Sequence, residues 1–235
     1  LGGIENDIDF DIVDEVIIKG DNDTSVLCGL ASADNVNEIY PRSKKWRRGP
    51  QDVIIPIAKS PTVTINLSSQ PEKPFKYTYT TYSEYKTAAT KVIKQISPSI
   101  SSKNLKRVVR AALAVSIQEQ GRGGKIRGFN NNLTGVESSG FKVFKSSDVN
   151  GKVFATEGGT NKRKAYYSFS SIEAGLVPLI SKIIERNMFA QDDTANQYAW
   201  RYYRDWNGYG ARSKSTYTND CDVIKRIENT YNNTA

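Results

Sequence analysis

Carboxylates, tyrosines, serines, lysines or asparagines must carry any chemistry in this chain, because it contains no histidine. That absence removes nucleophile schemes built on imidazole and nearly all zinc-hydrolase ligand sets. Cys28 and Cys221 lie far apart in sequence; two buried free thiols fit that spacing better than one bridge. Glu119 is the first candidate. It follows an apolar run at helical spacing and precedes glycines at 121, 123 and 124. At such a junction a carboxylate is expected to lie half in the core and half in a cleft. Partial burial of a carboxyl disfavours its ionised form, which suits a group that protonates a glycosidic oxygen near neutral pH. Taken alone, however, the position favours a solvated helix-end glutamate.

The neighbours of Glu119 add weight. Gly128-Phe129-Asn130-Asn131-Asn132-Leu133-Thr134-Gly135-Val136 follows closely. Asparagine amides both donate and accept, as sugar hydroxyls and acetamido groups require. Gly135 permits a tight turn that brings backbone near a ligand. A plain loop is the alternative. A second carboxylate, Glu157, comes 38 residues after Glu119 in Val153-Phe154-Ala155-Thr156-Glu157.

These residues need elements to hold them. Tyr85, Ala88, Ala89, Val92, Ile93 and Ile96 mark one helical face from Ser83 onward. Ser97-Pro98-Ser99 breaks it. A second helix starts from a Ser101 or Ser102 cap and carries Leu105, Val108, Val109, Ala112, Leu113 and Ser116 toward Glu119. Residues 125–165 are rich in Gly, Ser and Asn with short β pieces, and helices resume over 170–187, 194–206 and 218–231. Before residue 83 the signals are extended. Residues 53–57 and 62–67 are β-branched, and Phe75, Tyr77 and Tyr79 alternate with Lys76, Thr78 and Thr80. Pro56, Pro61, Pro71 and Pro74 restrict these strands to short or edge positions. A tyrosine stripe of this kind is expected to pack.

The chain has 235 residues, 38% hydrophobic and 25% charged, enough for one good domain or two small ones. No run approaches the roughly 18 apolar residues of a membrane span. The first residue is Leu1, so a trimmed or processed start, or a fragment, is expected. Residues 1–40 carry ten acidic residues and one lysine, a balance of −9; the remainder carries 32 basic and 15 acidic residues, a balance of +17. A basic region suits an anionic polymer, either nucleic acid or bacterial wall. Lys44, Lys45, Arg47 and Arg48 around Trp46 form a basic loop, but no nucleic-acid recognition motif accompanies it. Pairing with the acidic leader is as good a reading of that loop.

Three of these motifs, in this order, resemble the glucosaminidase family of the lysozyme superfamily, found in autolysins, flagellar wall-cutting domains and phage tail lysins. The first is the helix ending in Glu119-Gln120, followed by Asn132-Leu133-Thr134-Gly135-Val136. The second is Thr156-Glu157 with Arg163-Lys164-Ala165-Tyr166-Tyr167-Ser168-Phe169 and Ser171-Ile172-Glu173. The third is Gly208-Tyr209-Gly210-Ala211 with Thr216-Tyr217. The resemblance spans about residues 83–232. Lys164 is the nearest basic residue to the family's strand arginine, and Arg212 and Lys214 stand where the family has acidic and small residues.

The resemblance implies an α+β protein. A lysozyme-like, mostly helical catalytic domain with a small β-lobe would occupy 83–235, after a β-rich or extended attachment region over 1–82. It implies Glu119 as acid, Glu157 as base or charge stabiliser, and Tyr209 as a cleft residue. Asn131, Asn132, Gly135 and Tyr167 would contact substrate. No metal or cofactor is implied. The substrate would be bacterial peptidoglycan, cut as an N-acetylglucosaminidase outside the cell or on a virion, with other tail proteins engaged through 1–82. A muramidase, a lytic transglycosylase and a non-catalytic virion protein of lysozyme-like fold remain open.

Overall fold

The computed structural model describes residues 53–136, 141–156, 162–191, 193–202 and 225–234. It is an α+β fold of helices and small antiparallel sheets. One compact unit is Ile54–Glu185; a second holds Arg186–Asn233.

In the first unit the helices form where the apolar period changes. Helix α1, Tyr82–Ile96, starts on a capping box: Thr81 accepts from the Glu84 amide, and the Glu84 carboxylate accepts from the Thr81 amide. Its buried face is Tyr85, Ala88, Ala89, Val92, Ile93 and Ile96, as the spacing predicts. Helix α2, Ser102–Gln120, is capped by the Ser101 hydroxyl, which accepts from the Asn104 amide. From Ala111 to Ser116 every residue of α2 is buried, so its middle is enclosed on all sides. Tyr85 ties the two helices together inside the core: its hydroxyl donates to the Ala112 carbonyl at 2.9 Å and meets the Ser116 hydroxyl at 2.6 Å. Helix α3, Ile172–Glu185, supplies Leu176, Val177, Leu179, Ile180, Ile183 and Ile184 to the same core.

Among the described residues, seven short strands frame these helices: β1 Val63–Thr64, β2 Tyr77–Thr81, β3 Gly121–Arg122, β4 Lys125–Phe129, β5 Lys142–Val143, β6 Val149–Thr156 and β7 Arg163–Phe169. All pairs are antiparallel, in the orders β1-β5, β2-β4-β3 and β6-β7. Two tight turns bracket β4. Gly123 and Gly124 both have positive φ, 57° and 76°. Asn130 and Asn131 also have positive φ, 47° and 59°, between Phe129 and Asn132, whose backbones exchange both hydrogen bonds. Two-residue hairpin loops need this left-handed backbone, which Gly and Asn adopt at least cost. A satellite core of Ile65, Val143, Val149, Tyr167, Phe169 and Ala174 closes the β1-β5 and β6-β7 side.

The strand pairing corrects the expected boundary after residue 82. β2 pairs with β4 over five residues, from Tyr77 with Phe129 to Thr81 with Lys125. Residues 54–81 therefore belong to the helical unit rather than to a separate attachment region. The residues before 53 lie outside the described part, with the acidic leader, the basic loop and Cys28. Of the early β-branched runs, residues 53–57 form no strand and 62–67 contribute only β1.

In the second unit, Tyr198 of helix α4, Ala195–Tyr202, stacks on Tyr231 at 4.4 Å between ring centroids. Residues 225–232 are helical, and Arg201 donates to the Asn187 carbonyl at 2.9 Å. Among the described residues, no helix is long and apolar enough to cross a membrane.

Candidate active site

Glu119 is the penultimate residue of α2, and its side chain is exposed. This is the solvated placement that the position alone favoured, and it corrects the half-buried one expected of an acid catalyst. The apolar envelope of α2 ends at Ser116; Ile117 and Gln118 are half-buried, and Glu119 emerges beyond them. The chain then turns straight from the helix into β3. A side chain at Gly121 would stand 2.6 Å from the Ile117 carbonyl oxygen, so only glycine allows that exit. Gly135 comes close to the same helix end. Its φ is +67°, and a Cβ built there would lie 3.9 Å from the Gln120 amide nitrogen. The fold thus brings the carboxylate-bearing helix end and the Gly135 turn together.

The asparagines between them are committed to the fold. The Asn132 side chain is fully buried. Its amide nitrogen donates to the Val136 carbonyl at 2.9 Å and the Tyr167 carbonyl at 3.0 Å, and its oxygen accepts from the Val136 amide at 2.9 Å. Asn131 donates to the Phe169 carbonyl at 3.0 Å, and its own amide donates to the Thr78 hydroxyl at 2.9 Å. Its carbonyl packs directly against Gly175 of α3, where any Cβ would collide with it. Asn130 bridges the Lys76 amide and the Pro74 carbonyl at 2.9 and 3.0 Å. Turning Asn132 outward to a sugar would strand buried backbone groups at about 1–3 kcal/mol each, against a net gain of about 0.5–1.5 kcal/mol per new hydrogen bond. Asn132 is therefore a structural staple, not a substrate contact, and Asn131 is held in the same way.

Tyr167 is also enclosed. It is fully buried in β7, its hydroxyl donates to the Ile65 carbonyl at 2.8 Å, and Phe141 packs edge-on against its ring at 4.4 Å. Burial pushes its phenol above the ordinary range. It cannot touch substrate without dismantling the satellite core. Glu157 and Tyr209 lie outside the described residues. The β6-β7 hairpin runs up to the residue before Glu157, pairing Thr156 with Arg163. The Arg163 guanidinium sits 4.9 Å over the Phe154 ring.

The sequence reading missed a second cluster. Phe75, Tyr77 and Tyr79 are 42%, 49% and 56% exposed, whereas the stripe was expected to pack. Their register explains this. Thr80 opposite Ile126, and Thr78 opposite Gly128, take the covered face of the sheet, which leaves the aromatics outside. Phe75 stacks on Phe129 at 5.6 Å, Tyr77 lies 5.9 Å from Tyr79, and the Arg127 guanidinium covers Tyr77 at 4.9 Å. Tyr79 also borders a cavity of about 380 Å³ whose lining includes Ser83, Glu84, Thr87, Lys91 and Glu173. Hydrogen bonds from the Thr81 amide and hydroxyl hold the Glu84 carboxyl below its usual range. A backbone hydrogen bond and Lys91, 3.4 Å away, do the same for Glu173. The period-two alternation was the signal for the strip; which face it presents depends on the pairing with β4.

Among the described residues, no group of three or more Asp, Glu, Cys or His side chains is placed to hold a metal ion. No family model, curated protein or solved structure gives a significant match to the chain.

Proposed function

We propose that the chain cleaves the β-1,4 glycosidic bonds of peptidoglycan, as an N-acetylglucosaminidase, with Glu119 as the acid. The observation that carries this reading is the exposed carboxylate at the end of α2, beside the Gly135 turn and at the entry to a sheet with exposed aromatic rings. Glu119 gives its proton to the glycosidic oxygen as the bond from that oxygen to the anomeric carbon breaks. A water then adds to the oxocarbenium-like carbon and loses its proton to a base, for which Glu157 is the candidate. Tyr209 is the candidate to orient the sugar. A glycan lying over Glu119 would exclude water from it. The substrate places the site of action outside the cell or on a virion.

The exposure of Glu119 favours one second reading, a non-catalytic wall-binding protein that uses the same surface. Zymography on wall-embedded gels separates the two. Clearing by the wild type and none by Glu119→Gln supports catalysis; equal clearing by both, or none by either, removes it.

A further inference from the structure

The strip on β2 and the cavity beside it are separate from the groups proposed to break the bond, yet they are continuous with each other through Tyr79. Three partly exposed rings follow one another along the solvent face of the strand: Phe75 to Tyr77 at 4.8 Å, then Tyr77 to Tyr79 at 5.9 Å. Partly exposed rings suit ligands that present flat C–H surfaces and polar edges; Phe129 stacks on Phe75 and Arg127 lies over Tyr77, and each of the three residues still reaches solvent. Arg127 and Lys125 pair with Tyr79 and Thr81 in register, so both lie on the same face. The cavity differs in chemistry. Its Ser83 and Thr87 hydroxyls can donate and accept, and its charged groups are Glu84, held by Thr81, and Glu173, paired with Lys91 at 3.4 Å. At about 380 Å³ it lies within the usual range for a small-molecule site.

That combination selects among polymers. A nucleic-acid strand would stack on the rings and meet the basic residues, but its phosphates would then face a cavity in which Glu84 and Glu173 outnumber Lys91. An N-acetylhexosamine chain has no phosphate there. Its C–H faces stack on the rings, and its hydroxyls donate to the carboxylates. β4 lies between β2, which carries the strip, and β3, which begins two residues after Glu119. At about 4.8 Å per strand spacing, the strip is about 10 Å across the sheet from β3.

We propose that Phe75, Tyr77, Tyr79 and the Ser83–Thr87–Glu173 cavity form a glycan-binding subsite that grips a β-1,4-linked N-acetylhexosamine chain away from the cleaved bond. The assignment rests on the glycan reading of the protein but not on its being an enzyme. The test uses the full chain carrying Glu119→Gln, so that nothing is cut, titrated with chitin oligosaccharide by calorimetry. Tyr77→Thr with Tyr79→Thr keeps residues that favour strands and removes both rings; it is expected to weaken binding about tenfold or more. Thr87→Trp, on an exposed turn of α1, fills the cavity instead and is expected to weaken binding by a similar factor with the sheet unaltered. Circular dichroism and melting confirm that each variant is folded. No binding by the parent chain, or unchanged binding by both folded variants, overturns the proposal. So does tighter, steeply salt-dependent binding to single-stranded DNA, or ring-dependent dimerisation in sedimentation. Wild-type cleavage of wall with unchanged binding by the variants would sink the subsite alone; ring-dependent binding without cleavage by the wild type would sink the enzyme reading alone.

Discussion

Asn132 and Tyr77 lie in adjoining stretches of the same hairpin system, yet Asn132 is sealed in the core and Tyr77 is 49% exposed. Residue type alone suggests the reverse. The difference lies in what surrounds each backbone. The residues after β4 turn inward past the backbone of Val136, Tyr167 and Phe169, where the Asn131 and Asn132 side chains donate to the three carbonyls and Asn132 accepts from the Val136 amide. The β2-β4-β3 sheet buries one face, through Thr80 and Ile126, and leaves the other to solvent. A polar side chain is drawn inside where buried backbone needs it, and an aromatic stays outside where the small residues of its strand face the core.

That contrast can be broken most directly at Asn132. Asn132→Ala removes three hydrogen bonds from a fully buried site and is expected to cost about 2–4 kcal/mol in denaturant unfolding. A loss below about 1 kcal/mol would place Asn132 with the ligand-facing residues after all.

The buried phenols give a next, pH-dependent effect. Burial raises the folded-state value of Tyr85, and of Tyr167, above the ordinary value of 10.0. Their contribution is therefore fully present below about pH 10 and lost as pH rises beyond it, at up to about 1.4 kcal/mol per pH unit per group. Unfolding measured between about pH 9 and pH 11 should show this fall, and Tyr85→Phe should flatten it even though the variant loses the bonds to Ala112 and Ser116. An equally steep fall in the variant would show that Tyr85 is not the group involved.

Thr81→Ala removes one half of the α1 capping box and is expected to cost about 1 kcal/mol in thermal unfolding. The smallest stability effect belongs to the strip. Tyr77→Thr should change stability by no more than about 0.5 kcal/mol while altering glycan binding. A large destabilisation would mean that the ring packs, as the sequence suggested, and would erase the contrast with Asn132.

Local features were legible in the sequence. The buried face of α1, the Ser101 cap and the glycine end of α2 follow from spacing and capping chemistry within a few residues of each site. The left-handed turn at Gly135 was legible for the same reason. Pairings between distant residues were not. That β2 joins β4 across 48 residues decides the unit boundary, the exposure of Tyr77 and Tyr79 and the burial of Asn132, and no local pattern encodes it. Glu119 was legible as a helix-end carboxylate, and its position alone favoured exposure; where the enclosure of α2 stops was not legible, because it depends on α1 and α3 packing around it as far as Ser116.

The role proposed for Glu119 is to protonate the glycosidic oxygen of a glycan. Purified peptidoglycan digested with the wild type and with Glu119→Gln, and analysed by mass spectrometry, tests it. Soluble fragments with reducing N-acetylglucosamine ends are expected from the wild type and none from the variant. Anhydromuramic ends would contradict the assigned bond and reaction, and equal release by both proteins would contradict the role of Glu119 itself.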